Sequence, residues 1–355
     1  METECVDPVC GKPVLPTAQT PTTECQGETL YFCSRACRDK FACDPDRKLA
    51  DYAYDLIIVG AGPAGISAGI YAALTDIDTL LVTKSLGGQA WDSTRIVNYP
   101  GFDSIEGPQL VGRFQKQLFD EPRLAHQICE VTRIEKSRDT FRVHAEDGQV
   151  FQSRAVLLTM GMRRRRLAVP GEPEFRGKGV LEYHDLLAER YAGKEVAVVG
   201  GGNSAVQAAL GLAKRGARTR LVARSYGADP YLKEEVEAQA DLTVLTGRDP
   251  VRLEGSDRLE RLVVRNQESG EEEVLPVEAV FVEIGLVPNS ELVRELVIVN
   301  ERGEVEVDRN CRTGLPGLYA AGDLTNTFGK RILIAAGEGA KAVLAVAEFL
   351  RGKKH

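Results

Sequence analysis

Two stretches of this chain repeat one alternation of apolar and polar positions. In the first, the apolar, β-branched run Leu56-Ile-Ile-Val59 meets a glycine-rich turn, Gly60-Ala-Gly62-Pro63-Ala64-Gly65. A helical stretch from Ile66 to Leu74 follows, then a second apolar run from Thr79 to Thr83. In the second, Glu195-Val-Ala-Val-Val199 leads into Gly200-Gly-Gly202-Asn203-Ser204-Ala205, a helix from Val206 to Lys214 and the run Thr219-Arg-Leu-Val222. Short apolar runs bounded by glycine read as buried strands, and longer periodic stretches as crossover helices. Each stretch therefore predicts a βαβ unit. Towards the end, Gly317-Leu-Tyr-Ala-Ala-Gly322-Asp323 reads as an apolar strand closing on Gly-Asp, and Ile332 to Leu350 as a helix. No run reaches the roughly 18 apolar residues that a membrane helix needs.

A glycine turn between a strand and a helix lets the backbone approach a pyrophosphate, and the helix N-terminus stabilises its charge. Gly60, Gly62, Pro63, Ala64 and Gly65 are the candidates in the first loop. Gly200, Gly202, Asn203, Ser204 and Ala205 are those in the second. The acidic residue that usually closes the second strand is missing from the first unit, where Thr83 and Lys84 stand. In the second unit Ala223-Arg224-Ser225 offers no carboxylate for a free ribose 2′-hydroxyl. Arg224 is thus a candidate for a 2′-phosphate, which favours NADPH and leaves NADH open. The other reading of Arg224 is an exposed charge at a strand end. Asp323, at its own strand end, is placed to accept hydrogen bonds from a ribitol chain.

The chain has 355 residues, which suggests two to three domains. A composition of 43% hydrophobic and 27% charged residues is globular, and a net charge of −7 argues against a nucleic-acid or anionic-membrane surface. Met1 to Val14 is polar and acidic, unlike a signal peptide, so a cytoplasmic location is expected. Six of the eight cysteines fall within the first 43 residues. Without a secretion signal, such a cluster points to metal binding or redox chemistry. Only Val9, Val14, Leu30, Tyr31, Phe32 and Phe41 are available for a core there, and so thin a core calls for a staple such as a metal ion. Cys33 and Cys37 stand four apart, on one face of a helical turn. Cys10, in a Pro-Val-Cys-Gly turn, could present a third thiolate. A structural zinc, an exchangeable soft-metal site (copper, mercury or zinc) and a redox dithiol all remain open.

The start Asp7-Pro-Val-Cys-Gly11, the segment Tyr31-Phe-Cys-Ser34, Cys37, Phe41 and Asp44-Pro45 together resemble the YHS domain family, small treble-clef-like, metal-associated modules. Lys12 departs from that pattern, in which Met often follows Cys-Gly. The resemblance leaves the fourth ligand open among Cys25, Cys43, Cys5 and Asp7, with Cys25 taken to complete a set of Cys10, Cys25, Cys33 and Cys37. From residue 53 to 350 the chain resembles the low-molecular-weight thioredoxin reductase family. It is especially similar to the flavoprotein subunit of alkyl hydroperoxide reductase, through Ile284-Gly-Leu-Val-Pro-Asn289 and Ala336-Gly-Glu-Gly-Ala-Lys341. This resemblance implies an α/β fold of two Rossmann-like dinucleotide-binding domains, FAD in the first loop, a nicotinamide nucleotide in the second, and a homodimer. Gly88, Gln89, Asn98, Gly322, Asp323, Arg331 and Ile332 join the FAD set. The expected division is a metal module at 1–50, an FAD domain at 51–161 and 286–355, and a nicotinamide-nucleotide domain at 162–285. Arg163 to Arg166, at the crossover, reads as a solvated charge run or as an anionic-ligand patch.

The family's Cys-x-x-Cys dithiol falls here on Tyr183-His184-Asp185-Leu186, so both cysteines are lost, and Leu187 replaces the acidic proton donor. Tyr183 and His184 become candidates to cover the flavin face. Arg331 stands where the family commonly has Gln, a cation at a positive helix N-terminus, suited to stabilise anionic flavin. Three readings follow. The chain is an NAD(P)H-dependent flavoenzyme whose acceptor is a metal or thiol at the N-terminal cysteines. Alternatively it reduces a small redox protein, as dithiol-free relatives of thioredoxin reductase do with ferredoxin. Or it is a metal or redox sensor with little turnover.

Overall fold

The computed structural model describes residues 5–7, 13–25, 28–43, 50, 52–93, 95–121, 124–181 and 188–352. The chain forms two compact units, residues 1–162 with 288–355, and residues 163–287.

The first unit is built on a seven-stranded sheet. In spatial order its strands are Leu124–Ile128, Thr79–Leu86, Ala53–Ala61, Val150–Leu158, Thr140–Ala145 and Val131–Ser137, with Leu318–Ala320 also pairing Val150–Leu158. Thr140–Ala145 pairs antiparallel with both of its neighbours, and the other pairings are parallel. A parallel sheet is covered on both faces, which is why its central strand reads as an unbroken apolar run rather than an alternation. Leu56 and Ile58 enter one core cluster, with the helices Pro63–Leu74 and Ile332–Gly352. Ile57 and Val59 enter the other.

Among the described residues, the N-terminal cysteine-rich segment shows two antiparallel pairs, Cys5–Val6 with Pro13–Val14 and Thr22–Cys25 with Glu28–Tyr31, followed by the helix Arg35–Cys43. Of its expected core, Val14, Phe32 and Phe41 are buried, Leu30 and Tyr31 are half-buried, and Val9 lies outside the described residues. The core is not self-contained. Phe32, Cys37 and Phe41 belong to the same apolar cluster as Tyr54, Ala125 and Val131 of the large sheet and Cys129 of the turn that joins its strands. The sheet face supplies the apolar surface that so short a segment lacks.

The second unit carries a five-stranded parallel sheet in the order Val180–Leu181, Ala279–Val282, Glu195–Val199, Arg218–Ala223 and Leu242–Thr246. Arg248–Gly255, Leu259–Asn266 and Glu272–Pro276 form a separate antiparallel sheet. In both units the first βαβ helix begins earlier than the apolar periodicity suggests, at Pro63 and at Asn203. Their first turns hold small and polar residues that show no apolar period, and Pro63 is at home in a first turn, where its missing N–H costs no helical bond.

Candidate functional site

Each glycine turn combines crowded glycines with an open one. Gly60 has φ +102°, and a Cβ there would lie 2.7 Å from the Thr159 carbonyl oxygen. A Cβ on Gly65 would lie 1.9 Å from the Gly60 oxygen. A Cβ on Gly62, the N-cap of the Pro63–Leu74 helix, would meet nothing within 4 Å. Among the described residues no side chain caps this helix, and its first turn has no acid, so its first N–H groups line an open cradle. That arrangement fits an anion. Gly88 backs the cradle, since its own Cβ would approach Gly62 Cα to 3.2 Å, and the neighbouring Gly87 N–H donates to the Ala61 oxygen at 2.7 Å. The Gln89 amide donates to the Met162 carbonyl at 2.7 Å, and Asn98 is exposed.

At the end of the second strand, Thr83 is turned inward. Its hydroxyl accepts from Ala61 N–H at 3.1 Å and donates to the Ser85 oxygen at 2.7 Å. A carboxylate still stands beside this strand end, because Glu130 lies 2.5 Å from the Lys84 ammonium. Sheet pairing of Thr83 with Ile128 brings the two together, a proximity no local motif could reveal. Across the loop, Gly322 (φ +77°) packs so closely that a Cβ would meet Ala64 Cβ at 2.9 Å. Burial pushes the Asp323 carboxyl above its ordinary range, against the opposing pull of Lys330 and Arg331. Buried Glu338 organises this corner. It accepts from Gly322 N–H at 3.2 Å, from the Thr327 hydroxyl at 2.9 Å and from Lys341 at 3.2 Å. Arg331 is exposed, directly precedes the Ile332–Gly352 helix, and bonds the Lys330 carbonyl at 2.7 Å.

The second unit repeats this design. A Cβ on Gly200 (φ +145°) would lie 2.2 Å from the Glu283 oxygen and one on Gly201 1.8 Å from the Ser225 oxygen, whereas one on Gly202, the N-cap of Asn203–Ala213, would meet nothing within 4 Å. Asn203 is tied to Asp229 by reciprocal bonds of 2.7 and 2.9 Å, Ser204 is exposed and Ala205 is buried. Arg224 follows the second strand as expected, but its guanidinium is engaged by Asp249, whose other oxygen accepts from Gln267 at 3.0 Å.

In the N-terminal segment Asp7, Cys33 and Cys37 offer ligand atoms all within 4.8 Å of one another. The two sulfurs are 3.8 Å apart. Asp7 is fully buried and accepts from Cys33 N–H at 2.7 Å, which holds its carboxylate at the mouth of the helix. The Ser34 hydroxyl caps the helix by accepting from Cys37 N–H at 3.1 Å. One carboxylate and two thiols suit a zinc-like borderline ion. Cys33 and Cys37 come together, with Asp7 as their described companion, although Cys33 precedes the helix cap Ser34 rather than sharing a helical turn with Cys37. Cys10 and the side chain of Cys25 lie outside the described residues.

Residues 54–347 match the pyridine nucleotide-disulphide oxidoreductase family and residues 5–50 match the YHS domain. The chain belongs to the pyridine nucleotide-disulphide oxidoreductase family. It is an oxidoreductase and a flavoprotein, with a YHS domain at its N-terminus. It is 36% identical over 299 residues to an NADH dehydrogenase of Bacillus subtilis, a match covering 84% of this chain and 58% of that protein. It is 33% identical to a subunit of the alkyl hydroperoxide reductase of Staphylococcus aureus, covering 84% of this chain and 59% of the relative. The chain therefore spans under two thirds of the length of these relatives. Among solved structures, thioredoxin reductase of Lactococcus lactis is 30% identical with a TM-score of 0.73, covering 84% of this chain and 99% of that one.

Tyr183 and His184, expected where the thioredoxin reductase dithiol would stand, lie outside the described residues. Cys129 and Cys311 do not form a substitute pair. They are buried in separate core clusters. Burial pushes their thiols up to about 12 and about 11. A nucleophilic cysteine needs the opposite shift. Among the described residues, no helix is long and apolar enough to cross a membrane.

Proposed function

We propose that this flavoprotein takes electrons from a reduced nicotinamide nucleotide and delivers them to a disulfide formed by Cys33 and Cys37, or to a redox-active metal ion held by these residues with Asp7. The observation that supports this reading is the 3.8 Å separation of Cys33 and Cys37 beside a buried carboxylate, in the same compact unit as the first glycine loop. The thiols of Cys129 and Cys311, by contrast, are held protonated by burial. FAD, when bound, supplies two-electron exchange between the nicotinamide and the acceptor. The chain's own residues hold the two nucleotides. Gly62 and Gly202 leave room for phosphates at helix N-termini, Asp323 stands ready for the ribitol hydroxyls, and Arg331 contributes positive charge at the head of the last helix. Zinc at the thiol site would stabilise the thiolates and tune their reactivity, and zinc itself would carry no electrons.

Anaerobic titration of the diamide-oxidised protein with NADH or NADPH, followed at the flavin absorbance, tests the proposal. About two equivalents per FAD are expected, one for the flavin and one for a Cys33–Cys37 disulfide, falling to about one in Cys33→Ser. A single equivalent in the unaltered chain overturns it and makes the cysteines a metal site without redox exchange.

A further inference from the structure

Arg224 and Asp249 meet where the ribose end of a dinucleotide belongs. The parallel strands Glu195–Val199 and Arg218–Ala223 run side by side, with Val199 opposite Val222. The turn after the second strand folds over the glycine loop. Gly200 N–H donates to the Val222 oxygen at 2.9 Å, and Gly227 N–H to the Gly201 oxygen at 2.9 Å. In such a sheet the adenosine ribose is read just beyond the end of the second strand. The next strand, Leu242–Thr246, ends level with Ala223, opposite Thr246. The chain then turns through Gly247 into Arg248–Gly255, which puts Asp249 at the same rim.

The Arg224 side chain is 76% exposed and Asp249 is 31% exposed. Asp249 is the better anchored partner. Gln267 donates to its second oxygen, and the Gln267 backbone N–H is fixed to the Gly247 oxygen at 2.9 Å. A 2′-phosphate placed on Arg224 would have to share that guanidinium with a fixed carboxylate of the same sign. A free 2′-hydroxyl would meet no repulsion and could donate to that carboxylate.

We propose that Asp249 is a specificity-determining residue that withholds Arg224 from a 2′-phosphate and directs the second site to NADH. This deepens the functional reading and rests on the nicotinamide nucleotide occupying the Gly200–Gly202 loop. Asp249 acts on the phosphate by charge and positions Arg224 through its bond, and Gln267 fixes Asp249.

The test compares calorimetric binding of 2′,5′-ADP and 5′-AMP to the FAD-loaded chain, together with KM and kcat for both nucleotides in flavin reduction. Asp249→Asn is expected to tighten 2′,5′-ADP about tenfold and lower KM for NADPH by a similar factor, while 5′-AMP, whose 2′-hydroxyl loses a carboxylate acceptor, binds no tighter. Asp249→Glu is expected to keep the NADH preference. Adding Arg224→Ala to Asp249→Asn is expected to abolish the gain, which isolates the pair. Unchanged 2′,5′-ADP binding in Asp249→Asn overturns the inference, as does an unaltered chain that binds 2′,5′-ADP more tightly than 5′-AMP. Because binding is read without turnover, these outcomes differ from failure of both nucleotides to reduce the flavin, which would sink the functional reading instead.

Discussion

Glu338 shows how much of this flavoprotein's site rests on one buried side chain. A carboxylate that is 6% exposed pins the Gly322 turn, the Thr327 loop and Lys341 of its own helix. Removing it leaves a buried N–H and a hydroxyl without their acceptor, at a cost of about 1–3 kcal/mol. Glu338→Ala is therefore expected to loosen the Gly322–Asp323 corner and lower FAD retention through gel filtration, read as the ratio of flavin to protein absorbance. Glu338→Gln retains an amide oxygen for Gly322 and is expected to lose far less. An alanine variant that keeps its full FAD complement would show that this corner does not hold the cofactor. Glu338 stands inside a segment that marks the family resemblance, but its pattern of partners joins residues 11 and 16 positions apart and is invisible in sequence. Asp249 escaped in the same way. Arg224 was legible as a strand-end cation, whereas its partner lies 25 residues on, across a strand the motif does not include.

At the scale of elements, the glycine turns were the most legible part of the chain, because their spacing answers to backbone geometry alone. The crowded positions have a direct consequence. Gly65→Ala would drive a methyl group into the Gly60 carbonyl, 1.9 Å away, and the helix Pro63–Leu74 would have to move off the loop. Overpacking of this kind costs about 1–3 kcal/mol, and the cradle at Gly62 would change shape with it. The variant is expected to melt lower by calorimetry and to purify depleted of flavin. A Gly65→Ala protein with unaltered melting and full FAD would mean that the turn is looser than these distances imply. Gly62→Ala provides the contrast, since its methyl group meets no protein atom and should weaken FAD while leaving the apoprotein's melting temperature unchanged. The helix starts were less legible than the turns. Periodicity reports only the buried face, and the first turns at Pro63 and Asn203 hold small and polar residues without an apolar period. Lys84 read as a lone departure from the family acid, because the carboxylate beside it belongs to another strand.

For the whole molecule, the cysteine clustering correctly set the N-terminal residues apart in composition but could not show what they lean on. Phe32 and Phe41, with ring centroids 5.4 Å apart, share a core cluster with Tyr54 and Ala125 of the large sheet. Cys37 is fully buried in the same cluster, so one helix face carries both a candidate ligand and the docking contact. Metal binding and packing on the sheet should then be coupled, since anything that fixes Cys37 also fixes that face. Phe32→Leu, which removes ring volume without adding a polar group, is expected to cost about 1–2 kcal/mol. If the packing is shared, that loss appears as a lower melting temperature of the flavin-bearing unit, and chelation of bound metal lowers the same transition. Calorimetry with flavin fluorescence recorded in parallel separates the alternatives. An independent N-terminal domain would instead give its own early transition in Phe32→Leu, with flavin release at the temperature of the unaltered chain. That outcome would detach the thiols from the sheet and remove the structural support for an electron route between them and the flavin.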